Sequence, residues 1–226
     1  MRGAGARVAA GAALLGAVLL PQVVSSAYPG LHAWLIDHWA LEWGLLAREP
    51  WRLFLSSLVQ PRPGLVGTEW AFAIVVIPAA ATLWPWWALL LGFWGADLVG
   101  TLPVLAGLRL AAAWSPLAAD LVSEPDAGSS AGLFGLGVLV AWRLPREVSF
   151  AVLGGIAVFT AGRLVLFHRV FDVEHLIAVV ATASVLGVTY GLPGRVTGSK
   201  GGGRGRRTFG GRWGRREAGE NGAARP

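Results

Sequence analysis

The chain has 226 residues, of which 54% are hydrophobic and only 14% charged, with a mean hydropathy of +0.57; this composition excludes an ordinary soluble domain and indicates a polytopic all-α membrane protein. Cysteine is absent, which excludes disulfides, thiolate catalysis and cysteine-ligated metals. The formal charge of +6 looks like a nucleic-acid footprint, but nine of the nineteen basic residues follow Pro193, so the charge belongs to a tail and no nucleic-acid partner is expected.

In chain order, residues 8–27 form an Ala/Leu/Val run behind Arg2 and Arg7, closed by Pro21 and Ser25-Ser26-Ala27. A cleaved signal peptide would use Ser25 and Ala27 as its small-residue positions. A retained first span is the preferred reading, because further spans follow and proline is tolerated near a span's end. Residues 31–46 alternate Leu31, Trp34, Leu35 and Leu45 with Asp37, His38 and Glu42, a helical rhythm too polar to span, which predicts an interfacial helix. His38 and Glu42 stand four apart, but two ligands make no metal site; no metal or cofactor is expected.

Spans are predicted at 66–83, with Glu69 near its entrance and Pro78 inside, and at 86–108. An acidic loop through Asp120, Glu124 and Asp126 leads to a short apolar helix at 130–142. The Arg143-Leu144-Pro145-Arg146 turn leads to spans at 148–167 and 171–192. The result is six spans in one domain, residues 1–193, followed by a Gly/Arg-rich tail, 194–226, that buries too little to fold and is expected to be disordered and able to contact anionic lipid. Arginines gather at the N-terminus, the 143–146 turn and the tail, which places both termini in the cytoplasm.

The stretch Gly128-Ser129-Ser130-Ala131-Gly132 satisfies G-x-S-x-G, the strand-to-helix nucleophile elbow of soluble hydrolases, yet no β-rich run precedes it. A serine N-cap with glycines for close helix packing explains the same residues. Length adds a constraint. At ~1.5 Å per residue, Ser130–Trp142 covers ~20 Å of a ~30 Å hydrocarbon core. Arg143 and Arg146 hold the far end at the interface, so the shortfall lies at Ser130, in a dip that needs water or a partner for the hydroxyl.

Ionisable residues within spans face a bundle interior by default. Asp97 lies about two thirds of the way out along the third span, on a face with Gly100 and Thr101; Arg163 reaches a similar height in the fifth, Glu69 opens the second, and His175 lies near the outer end of the sixth. Asp97 and Arg163 are expected to form a structural ion pair. A transporter built on them has little support, since no inverted repeat is visible. Imidazole suits the task of taking a serine proton near neutrality, and His175 is the histidine placed for it.

These residues carry a resemblance. Gly128-Ser129-Ser130-Ala131-Gly132-Leu133-Phe134-Gly135-Leu136 resembles the G-x-S-x helix start of the rhomboid intramembrane serine proteases, Asp172-Val173-Glu174-His175-Leu176 resembles their last-span histidine segment, and Pro50-Trp51-Arg52 resembles the W-R that ends their first loop. The resemblance covers residues 8–192 in span order. It implies a six-helix rhomboid fold in a bacterial plasma membrane, Ser130 as nucleophile and His175 as general base of a dyad. It also implies membrane proteins as substrates. The helix start around Gly128 and Ser129, with its free N–H groups and partial positive charge, is expected to hold the oxyanion. Ala131, Ala178 and Thr182 stand where the family has glycine, and Leu65 and Glu69 stand where it has the second-span H-x-x-x-N that helps hold the oxyanion. The pattern is most similar to divergent rhomboid-like proteins of high-GC bacteria, and a catalytically inactive rhomboid-like binder of client helices is the alternative reading.

Overall fold

Pro29, Pro85, Pro116 and Pro145 each stand at or just before the start of a helix, where a missing N–H costs nothing, and they punctuate the chain. The computed structural model describes residues 2–61, 68–167 and 169–193. The described residues form an all-helical protein: α1 (Arg2–Ala27), α2 (Pro29–Trp39), α3 (Arg52–Leu55), α4 (Thr68–Leu83), α5 (Trp86–Ala111), α6 (Pro116–Ser123), α7 (Ser130–Arg143), α8 (Arg146–Phe167) and α9 (Val170–Tyr190). They contain no strand beyond one isolated antiparallel bridge between Leu41 and Asp126, so the soluble-hydrolase elbow has no sheet to stand on. The basic tail expected at 194–226, and Leu65 and Val66, lie outside the described residues.

Helices α1, α5, α8 and α9 are long and apolar enough to cross a membrane. Helices α4 and α7, at 16 and 14 residues, are shorter apolar segments. Helix α7 spans ~21 Å and packs against α4, α5, α8 and α9. It can do so because its faces are small: Gly132 lies against Phe93, Gly135 against Ala96 and Gly92, and Gly137 against Phe72 and Ile156. Where lipid and protein interior are equally apolar, such close approach replaces the hydrophobic drive between helices. At its far end Trp84 Nε1 donates to the Leu139 carbonyl at 2.8 Å, and the Arg143 guanidinium stacks 4.0 Å over the Trp84 ring. Helix α8 is the loosest member: of its residues only Ser149 and Thr160 are buried, and Val158, Phe159, Val165 and Leu166 are exposed. A helix so apolar and so little covered fits contact with lipid.

Two expectations need correction. The interfacial helix predicted at 31–46 stops at Trp39, with Ala40 extended. Arg52, buried, donates to the Ala40 carbonyl at 2.8 Å, and Leu41 exchanges backbone bonds of 2.7 and 2.8 Å with Asp126, so this backbone is drawn out of the helix to tie two loops together. The acidic loop through Asp120, Glu124 and Asp126 is not all loop. It contains α6, started by the Ser115 Oγ cap on the Ala118 N–H and Pro116 in the first turn. The His38 ring stacks on Trp34, and its Nδ1 bonds the Trp34 carbonyl at 2.9 Å.

Candidate active site

The loops that enter α7 are fixed before the serine is reached. Asp126 is held by Leu41, and the Gly128 N–H donates to the Ser56 carbonyl at 3.1 Å. Gly128 has φ +151°, a conformation that side-chain-bearing residues rarely adopt, and a Cβ there would lie 3.6 Å from Gln60 Oε1 and 3.8 Å from Ser130 Oγ. Those distances are ordinary contacts, so it is the backbone conformation that calls for glycine where the chain turns into the helix.

Ser129 and Ser130 then separate in role. Ser129 is the N-cap residue, yet its side chain makes no capping bond; fully buried, its Oγ accepts from Gln60 Nε2 at 2.8 Å. Ser130, the first residue of α7, is half-buried and its Oγ lies 2.6 Å from His175 Nε2. His175 is held by packing, with the Phe134 ring 5.2 Å away between centroids. Its Nδ1 has no hydrogen-bond partner among the described residues, and the nearest acid, Asp172 Oδ1, is 3.8 Å distant. That separation is too long for the third member of a hydrogen-bonded triad, so the geometry is a dyad.

The expected Asp97–Arg163 ion pair does not form. Arg163 Nε donates to Asp172 Oδ1 at 2.7 Å, because α8 packs against α9 and places the guanidinium beside that helix's first turn. Asp97 instead accepts from Ser57 Oγ at 2.7 Å and lies beside the Gly132 N–H, one of the unpaired donors at the start of α7. Glu69 is half-buried, and its Oε2 has no hydrogen-bond partner among the described residues.

Two cavities meet at Ser130 and His175. One, of about 440 Å³, is polar and is lined by Gln60, Asp97, Asp126, Glu174 and Arg163 among others. The second, of about 660 Å³, is an apolar groove between α4, α7 and α8, lined by Phe72, Leu133, Phe134, Ile156 and Phe159. Glu69 borders both. A hydroxyl and an imidazole within bonding distance, reached by polar space on one side and by an apolar groove on the other, have the arrangement of a nucleophile and its base.

Sequence reasoning did not single out Gln60, Ser57, Asp126 or Glu174 as part of the site. Burial pushes the Asp126 carboxyl up to about 6. A signal for Glu174 was present: it is an acidic residue within a span, next to His175, where ionisable side chains face a bundle interior by default. No group of three or more His, Cys, Asp or Glu is placed to hold a metal ion among the described residues. Comparisons with protein-family models, curated proteins and solved structures find no match. The class that fold and site define is an all-helical membrane protein with a serine–histidine pair at the start of a short central helix.

Proposed function

We propose that this protein is a rhomboid-type intramembrane serine peptidase that cleaves membrane-spanning segments of other proteins, with Ser130 as nucleophile and His175 as general base. The observation that carries the reading is the 2.6 Å approach of Ser130 Oγ to His175 Nε2 where the apolar groove meets the polar cavity. In this reading α1, α4, α5, α7, α8 and α9 are six spans of a bacterial plasma-membrane protein with both termini cytoplasmic. The short α7 leaves its serine end below the outer surface, where water enters through the cavity.

The chemistry follows from the atoms present. His175 Nε2 accepts the Ser130 proton as Oγ attacks the peptide carbonyl carbon. The tetrahedral intermediate collapses with rupture of the C–N bond, and the imidazolium returns the proton to the leaving amine. Water, deprotonated by the same nitrogen, then hydrolyses the acyl-enzyme and restores the serine. Oxyanion donors come from the start of α7, whose first N–H groups have no intrahelical acceptor, and from Gln60, which gives one amide N–H to Ser129 and has a second to offer.

A specific observation favours a second reading, a non-catalytic rhomboid-like protein that binds client helices in the groove: Glu69, whose Oε2 has no hydrogen-bond partner among the described residues, brings an acidic side chain to the border of both cavities, where an oxyanion would need donors. A fluorophosphonate probe on purified full-length protein separates the two. The peptidase reading expects labelling that disappears in Ser130→Ala; absence of labelling across the neutral and alkaline range favours the binder.

A further inference from the structure

The polar cavity holds more acidic side chains than the dyad can use. Six carboxyl groups line it, against Arg163 and Arg169. Arg163 is committed to Asp172, and Arg169 is an exposed residue before α9. Three of the acids, Asp97, Asp126 and Glu174, come from α5, the loop before α7, and α9, and lie close enough to repel one another. Each is at least nine-tenths buried. Asp97 alone has side-chain and helix-terminus donors, Ser57 and the start of α7. Glu174 is 5% exposed, borders the cavity, and has Oε1 without any partner among the described residues.

Buried carboxylates without donors or counter-charges are costly, and the missing partner is either a proton or a cation. The acids are not gathered tightly enough to chelate a metal ion. They are spread around a space of about 440 Å³, which suits a cationic group with several N–H donors on an alkyl stem.

We infer that the cavity bordered by Asp97, Asp126 and Glu174 is a binding site for a guanidinium or alkylammonium group, presented by an Arg or Lys side chain of the polypeptide whose apolar part lies in the neighbouring groove. The choice of a polypeptide as source rests on the function proposed above; the cationic chemistry of the site does not. Asp126 and Glu174 are the specificity-determining residues, because Asp97 is already engaged.

The test uses full-length Ser130→Ala protein in lipid nanodiscs near neutral pH, so that binding is read whether or not the wild type cleaves anything. Pentylguanidinium should raise the unfolding temperature saturably, and its neutral isostere pentylurea should not. Glu174→Gln and Asp126→Asn should each weaken the guanidinium effect about tenfold or more, as expected on losing one charge-assisted partner; two variants on separate elements guard against a folding defect in either. A Leu/Ala transmembrane peptide with one Arg in its outer third should bind more tightly than the same peptide with citrulline there, and a free cation as the true ligand would leave the two peptides equal. Equal shifts with pentylguanidinium and pentylurea, an undiminished guanidinium effect in both variants, or full replacement by equimolar magnesium would overturn the inference. Loss of labelling or cleavage in the wild type would count against the peptidase reading alone.

Discussion

Gly135→Ala tests the packing that holds the short serine helix in place. The added Cβ would overlap the Ala96 methyl, come within 2.9 Å of the Gly92 carbonyl oxygen and lie 3.5 Å from Thr182 Oγ1. The first two neighbours are a methyl on a backbone-rigid position and a backbone atom, so no flexible side chain can swing away and α5 itself must move. Overpacking of this kind costs ~1–3 kcal/mol, from which the better helix propensity of alanine returns up to ~1 kcal/mol. With two of these contacts under 3.0 Å the cost lies at the upper end of that range, so the expected net loss is ~2 kcal/mol. Ala96→Gly on top of Gly135→Ala removes the methyl clash but not the approach to the Gly92 carbonyl, and itself costs ~1 kcal/mol of helix propensity in α5, so the double variant should be more stable than the sum of the two single losses predicts. Equilibrium unfolding in mixed micelles reads the difference. A Gly135→Ala protein as stable as wild type, or a double variant no better than the sum of its single changes, would refute the argument that contact between α5 and α7 sets the position of Ser130.

Asp126 makes stability depend on pH. Its folded-state value of about 6 lies above the ordinary 3.8, so the native protein holds this proton more tightly than the unfolded chain, and stability falls as pH rises from about 4 to 6 and then levels. At ~1.4 kcal/mol per unit, Asp126→Asn should be more stable than wild type by a few kcal/mol above that window and equal to it below, in unfolding measured across pH. Gln60→Ala should lower kcat by about 10²-fold or more, in line with one lost oxyanion donor, and leave KM for a cleaved substrate nearly unchanged; a rise in KM with kcat preserved would assign Gln60 to binding instead.

The long helices were legible because a run of apolar residues long enough to cross the hydrocarbon core has few other ways to satisfy its backbone. The serine–histidine approach was legible only as an expectation, from hydroxyl and imidazole each placed near the same end of a helix. What the sequence did not carry was rotation. Asp97 and Arg163 sit at similar depth, but which neighbour each meets depends on which helices touch, and Asp172 at the start of α9 takes the arginine. The end of α2 was hidden for a related reason: Ala40 leaves the helix because Arg52 and Asp126, distant in sequence, claim the backbone on either side. Gln60 and Ser57 lie in a polar stretch that reads locally as linker, and only the folded chain sets them against Ser129 and Asp97.

The most direct test of the central claim is a double-mutant comparison of Ser130→Ala, His175→Ala and the pair, measured as cleavage of a reconstituted transmembrane substrate with folding checked by unfolding temperature. Because the two side chains act as one unit across a 2.6 Å contact, each single change should abolish cleavage and the double should be no worse than either. Full activity without His175, or cleavage that survives Ser130→Ala and is lost in Ser129→Ala, would contradict the account.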